Sequence, residues 1–226
     1  MTGSPAVRSV RWDEAGRRDL LTRASSLLEA PGRALLGIAG APGAGKSTIA
    51  EGLVDELAAR YPGQVALVPM DGYHLAQSLL EARGLAARKG APDTFDARGY
   101  VRLLAALRES TGEEVFAPEF RREIEDGVAG AIAVGPDVRL VVTEGNYLLL
   151  GEGAWGGVAP LLDESWFVRL EQEERVRRLV TRHLSFDRER DGALAEWRAT
   201  VNDEANARLV APTAERADLI VEHPAA

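Results

Sequence analysis

The chain contains no cysteine. A disulfide framework, a thiolate metal centre and a cysteine nucleophile are therefore all excluded. No apolar run approaches the roughly 20 residues that a membrane-spanning helix needs. Residues 1–13 are polar and lack the apolar segment of a secretion signal. A cytoplasmic location is the resulting expectation. Positive charge is in deficit, with 27 basic against 35 acidic residues and a net charge of -8. That balance opposes a general nucleic-acid or membrane-surface binder. Lysine is almost missing: among the 27 basic residues only Lys46 and Lys89 are lysines, the rest being arginine. No internal repeat or low-complexity tract is evident.

What is present points to one α/β domain with a substantial core, since 46% of the 226 residues are hydrophobic. Short apolar runs at 34–39, 65–69, 140–143, 166–170 and 218–221 read as buried strands separated by helical or loop material. The alternation predicts a five-stranded parallel sheet with helices on both faces. An amphipathic helix is expected over 13–30, stopped by Pro31-Gly32, and a second over 47–60. Residues 83–99 read as a surface excursion, 115–134 as a β-rich insertion, and 223–226 as a loose end. Ligands of such sheets sit beyond the carboxyl ends of the strands.

At the end of the first of these runs stands Gly40-Ala41-Pro42-Gly43-Ala44-Gly45-Lys46-Ser47-Thr48, a complete G-x-x-x-x-G-K-[ST] loop. Its glycines let backbone N–H groups turn inward around phosphate oxygens. Lys46 can reach the outer phosphates and the Ser47 hydroxyl can ligate Mg²⁺. The helix N-terminus behind the loop favours an anion at the same place. Lysine at position 46 in a chain that otherwise uses arginine suggests a chemical requirement for a compact ammonium.

Two carboxylates follow strands. Asp71 comes after 65–69 and can accept a proton from a hydroxyl or help hold Mg²⁺. An ordinary Asp-Gly turn is the alternative. Glu144 closes 140–143 in a Walker-B-like pattern and can hold Mg²⁺ directly or through water. A surface acid ending a strand is the alternative there. The basic helix over 171–184 carries Arg178 and Arg182 on one face, before a polar loop at 185–192. Together they fit a lid over about 178–192 that closes on triphosphate; a solvated helix paired internally with its own glutamates is the alternative.

These residues resemble the P-loop kinase family that contains pantothenate kinase, uridine kinase and phosphoribulokinase. The resemblance runs from about Leu35 to Val221. It is carried by Asp71-Gly72-Tyr73-His74 through Arg83-Gly84-Leu85, then Arg88-Lys89-Gly90-Ala91-Pro92 and Phe95-Asp96. Ala117-Pro118-Glu119-Phe120, Thr143-Glu144-Gly145-Asn146, Asn202 through Pro212-Thr213, and Arg216 to Ile220 carry it further. It implies a P-loop NTPase three-layer sandwich with a small lid and a substrate-side insertion over about 83–134. It also implies Asp71 as the hydroxyl-activating acid and Arg182 as the lid arginine. Phe120-Arg121-Arg122 stands where pantothenate kinases carry Tyr-Ser-His, Leu179 replaces an aromatic residue, and their long N-terminal extension is missing. These departures argue against pantothenate. The chain looks closer to small bacterial members labelled as fructose or sugar kinases or as nucleoside kinase-like proteins.

The expectation is an ATP- and Mg²⁺-dependent kinase acting on an alcohol of a polar, sugar-like metabolite. Lys46, Asp71 and Arg182 would be catalytic. Gly40, Ala41, Gly43, Ala44, Gly45, Lys46, Ser47, Thr48 and Arg178 would bind nucleotide, with Ser47 and Glu144 at the metal. Asp71, His74, Lys89, Arg122 and Asn146 are the acceptor-pocket candidates. Arg122 in the pocket would favour an anionic or strongly polar acceptor; otherwise it pairs on the surface with Glu123, Glu125 or Asp126. A nucleoside kinase remains open, with few aromatics to stack a base. So does a nucleotide-dependent switch or ATPase module. The expected partner is a small molecule, neither nucleic acid nor membrane, and the oligomeric state is open, a homodimer included.

Overall fold

A computed structural model describes residues 7–109, 112–186 and 191–224. The strands are β1 (Arg8–Arg11), β2 (Ala34–Gly40), β3 (Val65–Leu67), β4 (Val115–Arg121), β5 (Asp126–Val134), β6 (Leu140–Gly145), β7 (Glu164–Arg169) and β8 (Leu219–Glu222). The helices are α1 (Glu14–Leu27), α2 (Lys46–Arg60), α3 (Gln77–Ala82), α4 (Ala97–Glu109), α5 (Gln172–Phe186), α6 (Gly192–Trp197) and α7 (Asp203–Val210). A π-helical turn, Arg198–Asn202, joins α6 to α7.

Six strands form one parallel sheet in the order β1-β8-β7-β2-β6-β3. The sequence predicts five. The sixth is β1, a largely exposed edge strand whose Arg-Ser-Val-Arg sequence has no apolar run to mark it. Its pairing with β8 is purely a tertiary event. β3 is shorter than its apolar run because Pro69 has no N–H to donate; the last bond is Val68 N–H to the Val142 carbonyl.

Strand alternation divides the core between the two faces. Leu35, Val141 and Phe167 point to one side with Tyr100, Tyr147 and Trp155. Leu36, Val142 and Trp166 point to the other, against α1 and α2 through Leu20, Ile49 and Leu53. Asp13 caps α1 by accepting from Gly16 N–H at 2.9 Å. Among the described residues no helix is long and apolar enough to cross a membrane.

The substrate-side insertion is more structured than a surface excursion. Residues 83–99 contain two 3₁₀ turns and the start of α4, with Ala91, Thr94 and Phe95 buried. β4 and β5 form an antiparallel hairpin with an irregularity at Pro118. The hairpin lies backbone to backbone on the turn after β3. A Cβ on Gly72 would come 2.2 Å from the Pro118 carbonyl oxygen, and one on Gly127 would come 2.5 Å from that of Gly72. Only glycine permits this approach.

The ends of β3 and β6 are locked by a buried hydroxyl pair. Thr143 Oγ1 donates to the Val68 carbonyl at 2.6 Å, which uses its one proton. The Tyr100 hydroxyl, 2.6 Å from Thr143 Oγ1, is therefore the donor in the second bond. Thr143→Val keeps the shape but leaves Tyr100 and Val68 unpaired. Its expected cost is about 1–3 kcal/mol, read as a lower urea midpoint at unchanged slope. An unchanged midpoint would show that the pair does not hold these strands.

Candidate active site

The phosphate loop leaves β2 at Gly40 and returns into α2 at Lys46. Gly43 and Gly45 sit at φ 77° and 95°, left-handed conformations that side-chain-bearing residues avoid. A Cβ on Gly43 would also meet Leu179 Cγ at 2.7 Å. Leu179, two turns into α5, thus packs directly on the loop. Arg175, one turn earlier and buried, donates to the Pro42 carbonyl at 3.3 Å and pairs with Glu204 of α7. Sequence reasoning assigned Arg175 only to a basic helix. Nothing in the local pattern distinguishes it from its exposed neighbours.

Lys46 is buried, with its ammonium donating to the Ala41 carbonyl at 3.2 Å and to Asn146 Oδ1 at 2.7 Å. Burial lowers its pKa; the charges of Glu144 and Asp71 oppose this and Arg182 reinforces it. Ser47 Oγ donates to Glu144 Oε1 at 3.1 Å. Both elements of the motif are therefore tied to the end of β6. Thr48 is exposed in the first turn of α2. The N–H groups that open α2 have no carbonyl four residues back within the helix and face an incoming anion.

Glu144 is buried, and its pKa is pushed up to about 7, first by loss of hydration and then by the negative charge of Asp71, against Lys46 and Ser47. A carboxylate raised in this way, beside a hydroxyl and with no ion pair among the described residues, suits a hard divalent cation. Ser47 and Glu144 would hold Mg²⁺, the remaining positions falling to phosphate and water. No cluster of three or more His, Cys, Asp or Glu suited to a metal occurs among the described residues.

Asp71 lies in the 3₁₀ turn Met70–Tyr73 and is half-buried. Among the described residues its carboxylate makes no hydrogen bond, yet its charge acts on Lys46, Glu144 and Arg182. His74 Nδ1 donates to the Asp71 carbonyl at 2.8 Å, and its ring lies 4.0 Å from Phe95 and 4.7 Å from Phe120. Phe95 and Phe120 thus flank the His74 ring next to the Asp71 turn, which composition alone does not reveal.

Loss of hydration and then the charge of Arg122 lower the Arg182 pKa, while Asp203, Asp71 and Glu144 oppose this as opposite charges. Arg178 is bound to Glu174 at 2.7 Å and stands 3.6 Å from where a Cβ on Gly45 would lie. Residues 187–190 of the expected lid fall outside the described residues. Lys89 bonds Gln77 Oε1 at 3.1 Å and the Glu125 carbonyl, pairs with the Glu125 carboxylate at 3.4 Å, and holds its ammonium 5.3 Å from the centre of the Phe120 ring. It fastens the hairpin turn to the 77–90 segment. Arg122 lies on the hairpin, its Cζ 6.0 Å from the centre of the Phe120 ring.

Three further residues were given no site role by the sequence. Asp203 bonds His183 Nε2 at 2.7 Å and its charge reaches Lys46 and Arg182. Asn206 donates to the Gly90 carbonyl at 3.3 Å, which the Tyr147 hydroxyl also reaches at 2.5 Å. His223, expected to be loose, packs its ring 2.9 Å from the Cβ position of Gly45 and 3.5 Å from Arg178. The first two lie in the Asn202 to Thr213 stretch that carries the family resemblance, which gave them no role.

Burial lowers the His74 pKa from 6.5, against the raising effect of Asp71. The unfolded chain therefore takes up this proton first as pH falls. Stability contributed by the neutral ring is complete above 6.5 and is lost below it. Between about pH 7.5 and 5.5, the native protein should lose more melting temperature than His74→Gln does. Parallel curves would contradict the assignment.

The comparisons with known proteins agree with this geometry. The FtsK/SpoIIIE family model matches residues 19–226, a stretch that includes the phosphate loop. The ATP-dependent kinase-like protein notR' of Aspergillus versicolor is 41% identical over 145 residues, covering 61% of this chain and 84% of that protein. A pantothenate kinase of Leifsonia xyli is 34% identical over 78% of this chain, which spans 57% of that longer enzyme. Among solved structures, a provisionally assigned fructose transport system kinase from Silicibacter sp. TM1040 superposes with a TM-score of 0.78 at 40% identity, covering 89% of this chain and 98% of that one. A provisionally named uridine kinase of Schizosaccharomyces pombe is 34% identical over 76% of this chain and 75% of its own length. The chain belongs to the P-loop kinase family of uridine kinase and pantothenate kinase.

Proposed function

We propose that this chain is an ATP-dependent kinase that phosphorylates an alcohol group of a small, polar, sugar-like metabolite. The observation that supports this most is Asp71: a carboxylate without a hydrogen bond among the described residues, across from the phosphate-loop lysine and beside an acid suited to a cation. A nucleotide-driven switch has no use for an acceptor base.

When bound, Mg-ATP supplies the phosphoryl group and a cation that offsets its charge. The protein's part is positioning and electrostatics. The loop amides and Lys46 bind the phosphates; Ser47 and Glu144 orient the cation. Asp71 orients the acceptor hydroxyl and takes its proton. Arg182, with Arg178 beside the loop, faces the negative charge that builds during transfer. Asn146 keeps the Lys46 ammonium aimed into the loop. His74 shapes the acceptor wall through its contacts with Phe95 and Phe120.

Two other readings have a specific observation behind them. The aromatic wall beside Asp71 and the Schizosaccharomyces pombe relative favour a nucleoside acceptor. The FtsK/SpoIIIE match favours an ATPase module. Uridine in an acceptor panel tests the first; ATP hydrolysis without any acceptor tests the second.

Lys46→Ala should lower phosphoryl transfer by about 10²–10³ while circular dichroism and melting temperature show a folded protein. Lys46→Arg should fail as well, since the planar fork cannot take the place of the ammonium between Ala41 and Asn146. Near-normal turnover in a folded Lys46→Ala protein would refute the loop assignment.

Asp71→Asn separates binding from chemistry. Mg-ADP affinity should survive, and transfer to the acceptor should fall by roughly 10²–10⁴. A collapse of Mg-ADP affinity in calorimetry would instead make Asp71 a cation-holding residue.

A further inference from the structure

We infer that Arg175 is a positioning residue. Through the Pro42 carbonyl it turns the tip of the phosphate loop toward the nucleotide, and its buried pair with Glu204 holds it in place for that task. The inference rests on the reading of residues 40–48 as a nucleotide site and is independent of the acceptor.

The loop does not fix its own shape. Gly43 and Gly45 flank Ala44 at φ 77° and 95°, and a glycine leaves such a conformation as readily as it enters it. Ala41 and Ala44 line a cavity of about 280 Å³ together with Arg175 and Glu204. Close packing therefore does not hold that side of the loop.

α5 supplies the hold. A Cβ on Gly43 would meet the Arg175 carbonyl oxygen at 2.9 Å, so the loop tip lies against the helix backbone. Beside that contact Arg175 Nη1 donates to the Pro42 carbonyl at 3.3 Å. The Pro42–Gly43 peptide is trans, and a trans peptide is planar, with its C=O and N–H pointing in opposite directions. Drawing the Pro42 carbonyl toward α5 thus turns the Gly43 N–H away from the helix. That N–H makes no hydrogen bond among the described residues. It is a donor ready for a phosphate oxygen.

The ion pair fits this task better than it fits stability. The side chains of Arg175 and Glu204 are only 5% and 12% exposed. Removing two charges from water costs about what their attraction returns, and an apolar pair of similar volume often serves the fold as well or better. What a guanidinium adds is a rigid fork that reaches two acceptors at once, here Glu204 and Pro42. Glu204 sits on an anchored helix. Its neighbours on α7 are tied elsewhere, Asn206 to the Gly90 carbonyl at 3.3 Å and Asp203 to His183 at 2.7 Å. The pair therefore fixes the loop against the body of the protein.

The test is calorimetric titration of Mg-ADP into the full chain, read beside melting curves. Arg175→Met combined with Glu204→Leu removes both charges and keeps the volume. This variant should melt at or above the native temperature. Its Mg-ADP affinity should weaken by roughly 10-fold or more, as it would if the loop held its binding shape about one-tenth of the time. Arg175→Lys is the second variant. It keeps a cation against Glu204, but one ammonium does not span both acceptors, so it too should stay folded and bind Mg-ADP more weakly. Native affinity in either folded variant overturns the inference and makes the pair structural. Failure of both variants to fold also overturns it, since stability would then account for the pair. A native protein that does not bind Mg-ADP refutes the nucleotide site itself. ADP release that needs no acceptor counts against the kinase reading and leaves this inference standing.

Discussion

The parallel register of β2 against β6 is the constraint on which the site depends. Ile38 stands beside Glu144 and Ala39 beside Gly145. The chain leaving β2 as a phosphate loop and the acid leaving β6 therefore emerge at one edge. The Ser47–Glu144 and Lys46–Asn146 hydrogen bonds follow from that adjacency. β3 lies on the far side of β6, with Leu67 beside Val142, and so delivers Asp71 across the same opening. A slip of one residue would turn every β6 side chain to the opposite face. Glu144 would leave the loop, and Thr143 would lose the carbonyl of Val68.

The electrostatics of the cleft follow from this crowding. Lys46 and Glu144 are both buried, and each is penalised by lost hydration. Each also moderates the other's penalty, so the pair is tolerable without being saturated. Asp71 pushes Glu144 toward its neutral form while it supports Lys46. Such an arrangement gains from an added cation beside Ser47 and an added anion over the loop. α5 completes it from outside the sheet: Arg175 is committed to Pro42 and Glu204, Arg178 is held by Glu174 beside the loop, and Arg182, one turn further along, feels the charges of Asp71 and Glu144.

Much of this was legible in the sequence because it is local. The loop is nine consecutive residues, and an acid after an apolar run marks a strand end without knowledge of the partner strand. Lys46, Ser47, Asp71 and Glu144 converge as their positions suggested. What was not legible depends on distant chain segments. β1 is polar and becomes a strand only through β8. Lys89, a pocket candidate in the sequence, also meets Glu125 through a fold of the hairpin that no periodicity encodes. Asp203 and His223 reach the cleft from the C-terminal segment, one through a π-turn and the other beyond the last strand. The glycines at 72 and 127 read as turn residues; their real task is to let two backbones touch.

The central claim is that Asp71 and Glu144 divide the work between acceptor and cation, making this a phosphotransferase and not a hydrolase. Phosphorus NMR of a reaction with Mg-ATP and the best acceptor tests it most directly. The account predicts one new phosphate-ester resonance, formed in step with ADP, and little inorganic phosphate. Equal rates of ADP and inorganic phosphate formation, with no ester and no dependence on the acceptor, would contradict it.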